Sequence, residues 1–398
     1  ISICYKSDWL CLSIWRLWNH DGANTIFAND YSRICTCHKS HATERVLKLA
    51  KGELLDLIHA QGPLSVHDYM GFCLNNSEFG YYHTQNVFGQ KGDFITAPEI
   101  SQMFGELMGL WLAQSWIEQD RPEQFTLLEL GPGRGTLMAD ILRATAKVAG
   151  FHEAMTLCLF ESSERLRIKQ KEKLSPYTVR WEKDLNFLPN QPLFFIANEF
   201  FDALPIYQYQ RAGDIWLERM VAAKAGELKF SISLVPVQVP DTLHKRKNIV
   251  DGEIVEFCPD ASHVCNILSA KIETHGGTGI IIDYGNWASC GDTLQAVKDH
   301  KAIGVFDAPG TSDLTAHVDF EVIAKSSTCA VSPMTPQGLF LERLGITERA
   351  NVLAEYLRDE ALELHRAAHR RLTHPNEMGI LFKTMALYPS GQSTPVGF

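Results

Sequence analysis

One short segment of the chain places two carboxylates and an amide among apolar residues. Asn198, Glu199 and Asp202 follow an apolar run and alternate with Phe200 and Phe201. A carboxylate in such surroundings is costly unless it meets a cation, and a permanently protonated guanidinium meets that need. Two carboxylates that clamp a guanidinium could orient one nitrogen for attack on an electrophilic carbon. The alternative is that Asp202 caps a helix and Glu199 lies on the surface.

A glycine-rich turn follows another apolar run that contains Glu129. Its glycines are Gly131, Gly133 and Gly135, and a helical pattern begins directly after them. This order allows the backbone to approach a ligand at the start of a helix. A dinucleotide fingerprint would need a glycine where Thr136 stands, and the lysine of a phosphate-binding loop is absent. The spacing therefore favours a ligand without a pyrophosphate, such as S-adenosyl-L-methionine, with Glu129 and the three glycines as binding residues.

Two further acidic residues follow the next two predicted strands. Glu161 is placed where a carboxylate accepts hydrogen bonds from both hydroxyls of a ribose, and Asp184 is placed where it could hold an adenine amino group. Each alone could be a solvated strand end, but the order of turn, Glu161 and Asp184 favours a nucleoside site. Asp283, at the end of a later strand, could be structural or could line the same crevice.

Alternating strands and helices predict the scaffold that positions these residues. The expected class is α/β, with a doubly wound parallel sheet, an inserted antiparallel β-element and helical additions at both ends. The predicted core strands are residues 124–130, 156–160, 178–181, 193–197 and 279–283, with a late strand at 378–387. Helices are predicted at residues 44–59, from a cap at Ser65 to 75, and at 101–118, 137–149 and 261–274.

The chain divides into five predicted regions. Residues 1–42 lack periodicity and are interpreted as a targeting or disordered segment. Residues 43–120 form a helical region with an active-site loop, and 121–205 form the nucleoside-binding core. Residues 206–259 are the inserted β-element, and 260–398 complete the core with a mainly helical remainder.

Composition excludes several classes of function. The 398 residues carry a formal net charge of −10, which disfavours nucleic-acid binding. No apolar run is long enough for an integral membrane segment. The ten cysteines form no C-x-x-C pair, which favours a reducing compartment.

Three clusters could suggest a metal, and we predict none. Cys35 and Cys37 have histidines nearby but no second pair at zinc spacing. His365 and His369 share a helix face but lack the glutamate of a metalloprotease motif. His317, between two aspartates, is interpreted as a groove or helix-capping residue.

From about residue 62 onward the sequence resembles the MidA family, the mitochondrial complex I assembly-factor arginine methyltransferases and their bacterial relatives. The resemblance rests on residues 89–101 (GQKGDFITAPEIS), 129–136 (ELGPGRGT), 197–205 (ANEFFDALP), 282–285 (IDYG), 313–320 (DLTAHVDF) and 378–383 (MGILFK).

The resemblance implies a class I methyltransferase fold and symmetric dimethylation of an arginine in a core subunit of respiratory complex I. It implies that residues 131–135 and Glu161 bind the methyl donor and that residues 198–202 face the target arginine. A loop from 93 to 101 would close over the site, with Asp93, Thr96, Glu99 and Ser101 as its candidate residues. It further implies a protein substrate and the mitochondrial matrix, with the bacterial cytoplasm as the alternative.

Two other functions stay open on the sequence alone. One is a methyltransferase-like scaffold that holds a complex I subunit without turnover. The other is a nicotinamide-dependent oxidoreductase, which rests on the α/β pattern only. Oligomeric state is not predicted.

Overall fold

The structure is a computed structural model that describes residues 37–84, 96–244 and 249–398. Its helices are α1 (Cys37–Gln61), α2 (Val66–Asn75), α3 (Tyr81–Thr84), α4 (Ala97–Ile100), α5 (Gln102–Glu118), α6 (Thr136–Thr145), α7 (Phe151–Ala154), α8 (Glu164–Lys173), α9 (Asp241–His244), α10 (Pro259–His275), α11 (Phe320–Ser326), α12 (Gln337–Arg343), α13 (Ile346–Ala354) and α14 (Asp359–Thr373), with short turns at Leu185–Phe187 and Pro375–Gly379. Its strands are β1 (Leu64–Ser65), β2 (Phe125–Leu130), β3 (Met155–Phe160), β4 (Val179–Glu182), β5 (Leu193–Asn198), β6 (Tyr207–Ala212), β7 (Ile215–Lys224), β8 (Glu227–Val237), β9 (Ile254–Phe257), β10 (Gly277–Asn286), β11 (Gln295–Lys298), β12 (Lys301–Ile303), β13 (Asp313–Thr315), β14 (Val318–Asp319), β15 (Ala330–Val331), β16 (Thr335–Pro336) and β17 (Phe382–Tyr388).

The central sheet has the order β15-β17-β10-β5-β2-β3-β4. Strands β10, β5, β2, β3 and β4 run parallel, and β17 pairs with β10 in the antiparallel direction. Strands β2 and β5 are buried throughout, as continuous apolar runs are when helices cover both faces. The predicted α/β doubly wound class is therefore confirmed.

Alternation along the strands divides the core between the two faces of the sheet. Ile280 and Ile282 of β10 pack in the cluster that contains α5 and α6, whereas Ile281 packs in the cluster that contains α10. All three side chains are fully buried. Burying each contributes roughly 1.5–3 kcal/mol, so the β10 pattern holds both helical layers on the sheet.

The inserted element is a separate antiparallel sheet. Strands β6, β7, β8 and β9 pair with one another, and β1 from the N-terminal region pairs with β7. A second small sheet, with the order β12-β11-β13, lies in the last third of the chain, where mainly helical structure was predicted. Its strands are three or four residues long, too short for a recognisable alternating pattern.

Most helix limits follow the sequence signals. Ser65 caps α2 by accepting a hydrogen bond from the Asp68 N–H (2.9 Å), and Ser101 caps α5 in the same way. Helix α6 ends at Thr145, four residues before the predicted limit, and the chain turns at Gly150 with φ +83°. No helix within the described ranges is long and apolar enough to cross a membrane.

Candidate active site

A cleft opens at the carboxyl edge of the parallel strands, where doubly wound proteins bind ligands. It has two adjoining lobes of about 710 Å³ and about 650 Å³, including space open to solvent. We call the first the acidic lobe and the second the apolar lobe. The acidic lobe is lined by Tyr82, Thr96, Glu99, Glu129, Asn198, Glu199, Asp202, Tyr284, Asp313 and Thr315, among others. The apolar lobe is lined by Phe160, Glu161, Leu166, Phe200 and Leu204, among others, and the glycines 131 and 133 line both lobes.

The glycine-rich turn forms the floor between the lobes. Gly131, Gly133 and Gly135 have φ values of +63°, +52° and +75°, which side chains other than glycine rarely adopt. A Cβ atom on Gly131 would lie 2.9 Å from Cδ2 of Phe200. Gly135 is the N-cap of α6. The backbone is thus exposed to a ligand at the start of a helix, as the spacing predicts.

Glu161 lies in the apolar lobe and is firmly held. Its Oε1 accepts a hydrogen bond from the Ser163 N–H (2.8 Å), and its Oε2 accepts one from Nε2 of Gln170 (3.1 Å). Gln170 also donates to the carbonyl of Gly133 (2.8 Å) and so connects the carboxylate to the glycine-rich turn. Burial raises the pKa of Glu161. Sequence analysis missed Gln170. The only feature that could have indicated its role is its polar side chain on the buried face of α8.

Asp184 does not line either lobe of this cleft. Its side chain is exposed, and its Oδ1 accepts hydrogen bonds from the backbone N–H (2.9 Å) and the side-chain amide (2.8 Å) of Asn186. These bonds lower the pKa of the Asp184 carboxyl. Asp184 therefore caps the turn at Leu185–Phe187, and its contact with adenine stays a prediction.

Glu199 occupies a strained backbone position, with φ +53°. Its N–H donates to the carbonyl of Ile282 (2.9 Å), and its Oε1 accepts hydrogen bonds from the Ala97 N–H (3.2 Å) and from Nδ2 of Asn198 (3.1 Å). Burial and the nearby Asp202 raise the pKa of Glu199 to about 7. Glu199 is thus held inside the cleft, which excludes the surface alternative.

Asp202 is buried beside Glu199. Burial raises its pKa to about 6, against the effect of a hydrogen bond from the Tyr284 hydroxyl. No helix begins at this residue within the described part of the chain. Asp202 therefore contributes charge to the acidic lobe and does not act as a helix cap.

Four buried oxygen atoms of the acidic lobe, each able to accept a hydrogen bond, have no partner among the described residues. They are Glu129 Oε2, Asn198 Oδ1, Asp202 Oδ1 and Thr315 Oγ1. Burial, with a smaller effect of Glu161, raises the pKa of Glu129 to about 8. Buried polar atoms are normally paired, so four unpaired acceptors in one lobe suit a ligand rich in N–H donors.

The predicted lid residues are only partly within the described chain. Thr96 and Glu99 line the acidic lobe, whereas Ser101 caps α5 and does not. Oε1 of Glu99 accepts a hydrogen bond from the Thr136 hydroxyl (2.7 Å), so α4 contacts the start of α6. Asp93 lies outside the described residues.

Asp283 does not line either lobe. Its carboxyl is fully buried, with Oδ2 accepting from the N–H groups of Phe201 (3.0 Å) and Asp202 (3.2 Å) and Oδ1 accepting from the Tyr284 N–H (2.9 Å). Burial and the charges of Asp202 and Glu199 raise its pKa well above the usual range. Of the two interpretations left open, the structure favours the structural one.

One wall of the acidic lobe comes from residues that sequence analysis did not select. Tyr82 of α3 donates its hydroxyl to Oδ1 of Asp313 (3.3 Å), and Thr315 follows on the same strand, β13. Tyr284 completes the wall from β10. In the sequence, only the stretches 282–285 and 313–320 that resemble the MidA family include residues of this wall. Local patterns could not predict it, because α3, β10 and β13 meet through contacts between distant parts of the chain.

The clusters that could suggest a metal have other partners. The ring of His317 packs edge-on against Tyr284 at 5.5 Å, while Asp319 caps α11. His365 contacts the carbonyl of Ala350 (2.9 Å). The described residues contain no group of three or more side chains that could hold a metal ion, and the side chains of residues 35–41 lie outside them.

Comparison with known proteins gives a family and a fold. The model of the family "Putative S-adenosyl-L-methionine-dependent methyltransferase" matches residues 107–338. The rat (Rattus norvegicus) and human (Homo sapiens) proteins named "Protein arginine methyltransferase NDUFAF7, mitochondrial" are 35% and 34% identical to this chain over 366 residues. Each alignment covers 84% of this chain, with 83% of the rat and 82% of the human protein. A COG1565 superfamily structure from Burkholderia thailandensis, bound to S-adenosyl-homocysteine, superimposes with a TM-score of 0.76 at 26% identity. That match covers 89% of this chain and 95% of the bacterial one.

The residues of the cleft fit the cofactor of that family. The side-chain-free floor at Gly131 and the fixed carboxylate of Glu161 suit a nucleoside, and the unpaired Oε2 of Glu129 suits an ammonium group. S-adenosyl-L-methionine is accordingly the cofactor. The chain belongs to the MidA-like family of S-adenosyl-L-methionine-dependent methyltransferases.

Proposed function

We propose that the protein transfers methyl groups from S-adenosyl-L-methionine to the guanidinium of an arginine in a protein substrate. The observation that carries this proposal is the set of buried oxygen atoms of Asn198, Asp202 and Thr315 that have no hydrogen-bond partner among the described residues, beside the Glu199 carboxyl. A guanidinium carries five N–H donors in a fixed plane and stays protonated in proteins. The lobe thus offers the charge and the acceptors that this one side chain needs.

The arrangement favours arginine over lysine as the acceptor. A lysine ammonium is a compact point charge with three donors on one nitrogen. The free acceptors here belong to separate residues, Asn198, Asp202 and Thr315, around a lobe of about 710 Å³. A planar group that bonds in several directions pairs more of them at once, which lowers the cost of burying polar atoms.

Each residue has a distinct task in the proposed reaction. When bound, the cofactor supplies a methyl group on a positively charged sulfur. Glu199 and Asp202 hold the guanidinium and turn one nitrogen toward the shared floor at Gly131 and Gly133, and Asn198 accepts a further N–H. The nitrogen gains the methyl group as the carbon–sulfur bond breaks, and the extra proton of the product passes to Glu199 or Asp202. Most of the acceleration comes from this positioning and from the surrounding charges.

The proposed substrate is a core subunit of respiratory complex I, methylated to symmetric dimethylarginine during assembly in the mitochondrial matrix. Support comes from the resemblance in the stretches around Glu199 and Asp283 and from the rat and human relatives, whose names place them in the mitochondrion. The bacterial cytoplasm is the alternative compartment.

The test is transfer of a deuterated methyl group to proteins of a mitochondrial extract from cells that lack the protein, followed by mass spectrometry of arginine residues. Wild type should label arginine, and Glu199→Gln and Asp202→Asn should bind the cofactor but label nothing. Exposed Glu123→Gln is the matched control and should act as wild type. Normal labelling by both cleft variants would overturn the proposal.

The second candidate is a methyltransferase-like scaffold without turnover. Complementation of an assembly defect separates the two. A Gly133→Val protein should neither bind the cofactor nor rescue assembly if turnover is essential, because the turn has φ +52° and lines both lobes. Rescue by this variant would favour the scaffold.

A further inference from the structure

We propose that Asp283 is a positioning residue for methyl transfer: its carboxyl sets the conformation of residues 198–202 in which Glu199 and Asp202 face one guanidinium. The proposal rests on the proposed function for the identity of the acceptor. It assigns to Asp283 a role in the reaction although its side chain lines neither lobe of the cleft.

Strand β10 holds the segment at three N–H groups. The carbonyl of Ile282 accepts from the Glu199 N–H (2.9 Å), and Oδ2 of Asp283 accepts from Phe201 (3.0 Å) and Asp202 (3.2 Å). On the other side, the carbonyl of Asp202 accepts from the Ala316 N–H (2.9 Å), just after β13. The segment is therefore fixed between two strands, and two of its four bonds end on one carboxyl oxygen.

The segment needs such support because Glu199 is strained. A left-handed backbone conformation is unfavourable for any residue other than glycine because its Cβ atom crowds the following carbonyl oxygen, and Glu199 adopts it with φ +53°. Without the bonds to Phe201 and Asp202, the chain would relax toward negative φ at Glu199. That rotation would turn the Glu199 side chain away from the acidic lobe and separate it from Asp202.

The lysine opposite Asp283 on the neighbouring strand does not explain the buried carboxyl. Lys383 lies directly opposite Asp283 in the β10–β17 register, but its ammonium donates to the carbonyls of Ile380 (2.5 Å) and Leu381 (3.2 Å). Within the described part of the chain, the Asp283 carboxyl accepts its hydrogen bonds from the backbone N–H groups of residues 201, 202 and 284. The carboxyl thus serves the backbone that carries the cleft residues.

Asp283→Asn tests this role because the side-chain amide has nearly the same volume as the carboxyl. Its NH2 group replaces one of the two oxygens and cannot accept the backbone N–H bonds that this oxygen accepts. We expect the affinity for S-adenosylhomocysteine to stay within about twofold of wild type in calorimetry. The initial rate of methyl transfer to arginines of the mitochondrial extract should fall at least 30-fold at saturating cofactor. Asp283→Glu keeps the carboxyl but adds a methylene, and should lose less rate than the asparagine variant.

Thr278→Val is the matched control for stability. Thr278 lies at the other end of β10, is buried, and accepts a hydrogen bond from Gln119 (2.7 Å). Its loss should lower the melting temperature while the rate stays within about twofold of wild type. A merely structural Asp283 would behave in the same way, and wild-type rates in Asp283→Asn below its melting temperature would overturn the proposal.

A crystal structure of Asp283→Asn with S-adenosylhomocysteine decides the matter independently of the acceptor. The proposal expects a changed φ at Glu199 and a longer distance between the Glu199 and Asp202 carboxyls, with an unchanged glycine-rich turn. An unmoved segment would overturn it. If wild type labels no arginine, the proposed function fails, and this structure still tests the positioning. Should the asparagine variant not fold, the same structure and rate are measured with Asp283→Glu.

Discussion

The buried carboxyl of Glu199 predicts that removing its charge stabilises the empty protein. In Glu199→Gln the amide oxygen can still accept from the Ala97 N–H and from Asn198, the two donors that Oε1 has now. The substitution therefore removes the ionisable group and leaves the hydrogen bonds in place. The cleft gains stability because it no longer holds an ionised Glu199 next to Asp202 without a cation.

The size and the pH range follow from the pKa. Folding raises the pKa of Glu199 from 4.5 to about 7, so the folded protein retains a proton that the unfolded chain releases. This contribution to stability is complete below about pH 4.5 and is lost as the pH rises through about 7. The shift corresponds to at most about 3 kcal/mol, or roughly 4 °C in melting temperature for a chain of 398 residues.

The assay is thermal unfolding of wild type and Glu199→Gln without ligands at pH 5 and pH 8. We expect the variant to melt several degrees higher at pH 8 and close to wild type at pH 5. Exposed Glu123→Gln should change neither value. Equal shifts at both pH values, or a variant that melts lower at pH 8, would refute the reasoning.

Further predictions concern the cofactor and the core. Gly131→Ala should weaken S-adenosylhomocysteine binding at least tenfold in calorimetry, because φ is +63° and the added Cβ would lie 2.9 Å from Phe200; wild-type affinity would contradict this. Glu161→Ala should abolish measurable binding, since it removes the carboxylate that the Ser163 N–H and Gln170 hold fixed beside the glycine-rich turn; retained binding would remove Glu161 from the site. The buried carboxyl of Glu106 pairs with Arg143 (2.6 Å) and Arg349 (3.2 Å). Arg349→Ala should cost about 2–3 kcal/mol in unfolding experiments, because it leaves Glu106 with one positive partner fewer; an unchanged melting temperature would show that the ion pair between Arg349 and Glu106 does not stabilise the fold.

Local patterns were enough to predict the fold class and much of the cleft. The apolar run before Gly131 and the acids after the next strands follow from burial and from strand ends, both of which are local properties. The oxidoreductase alternative, based only on the α/β pattern, is replaced by the family to which the chain belongs.

Long-range packing explains what could not be predicted. Tyr82 of α3 and Thr315 of the three-residue strand β13 line the acidic lobe. The residues next to each of them in the sequence show no pattern that predicts this position. The same holds for Asp283, whose three N–H partners include two that lie 82 and 81 residues earlier in the chain. Asp184 shows that a local pattern can also fit two roles. An acidic residue at the end of a strand suits a ligand contact, and in the structure Asp184 caps the turn that follows it.

Recognition of a charged guanidinium is tested most directly by binding of N-acetyl-L-arginine amide to the complex of the protein with S-adenosylhomocysteine. The citrulline analogue has nearly the same shape without the charge and serves as the comparison. We predict that the arginine compound binds at least tenfold more tightly, and that Glu199→Gln removes this preference. Equal binding of the two compounds to wild type would contradict the account.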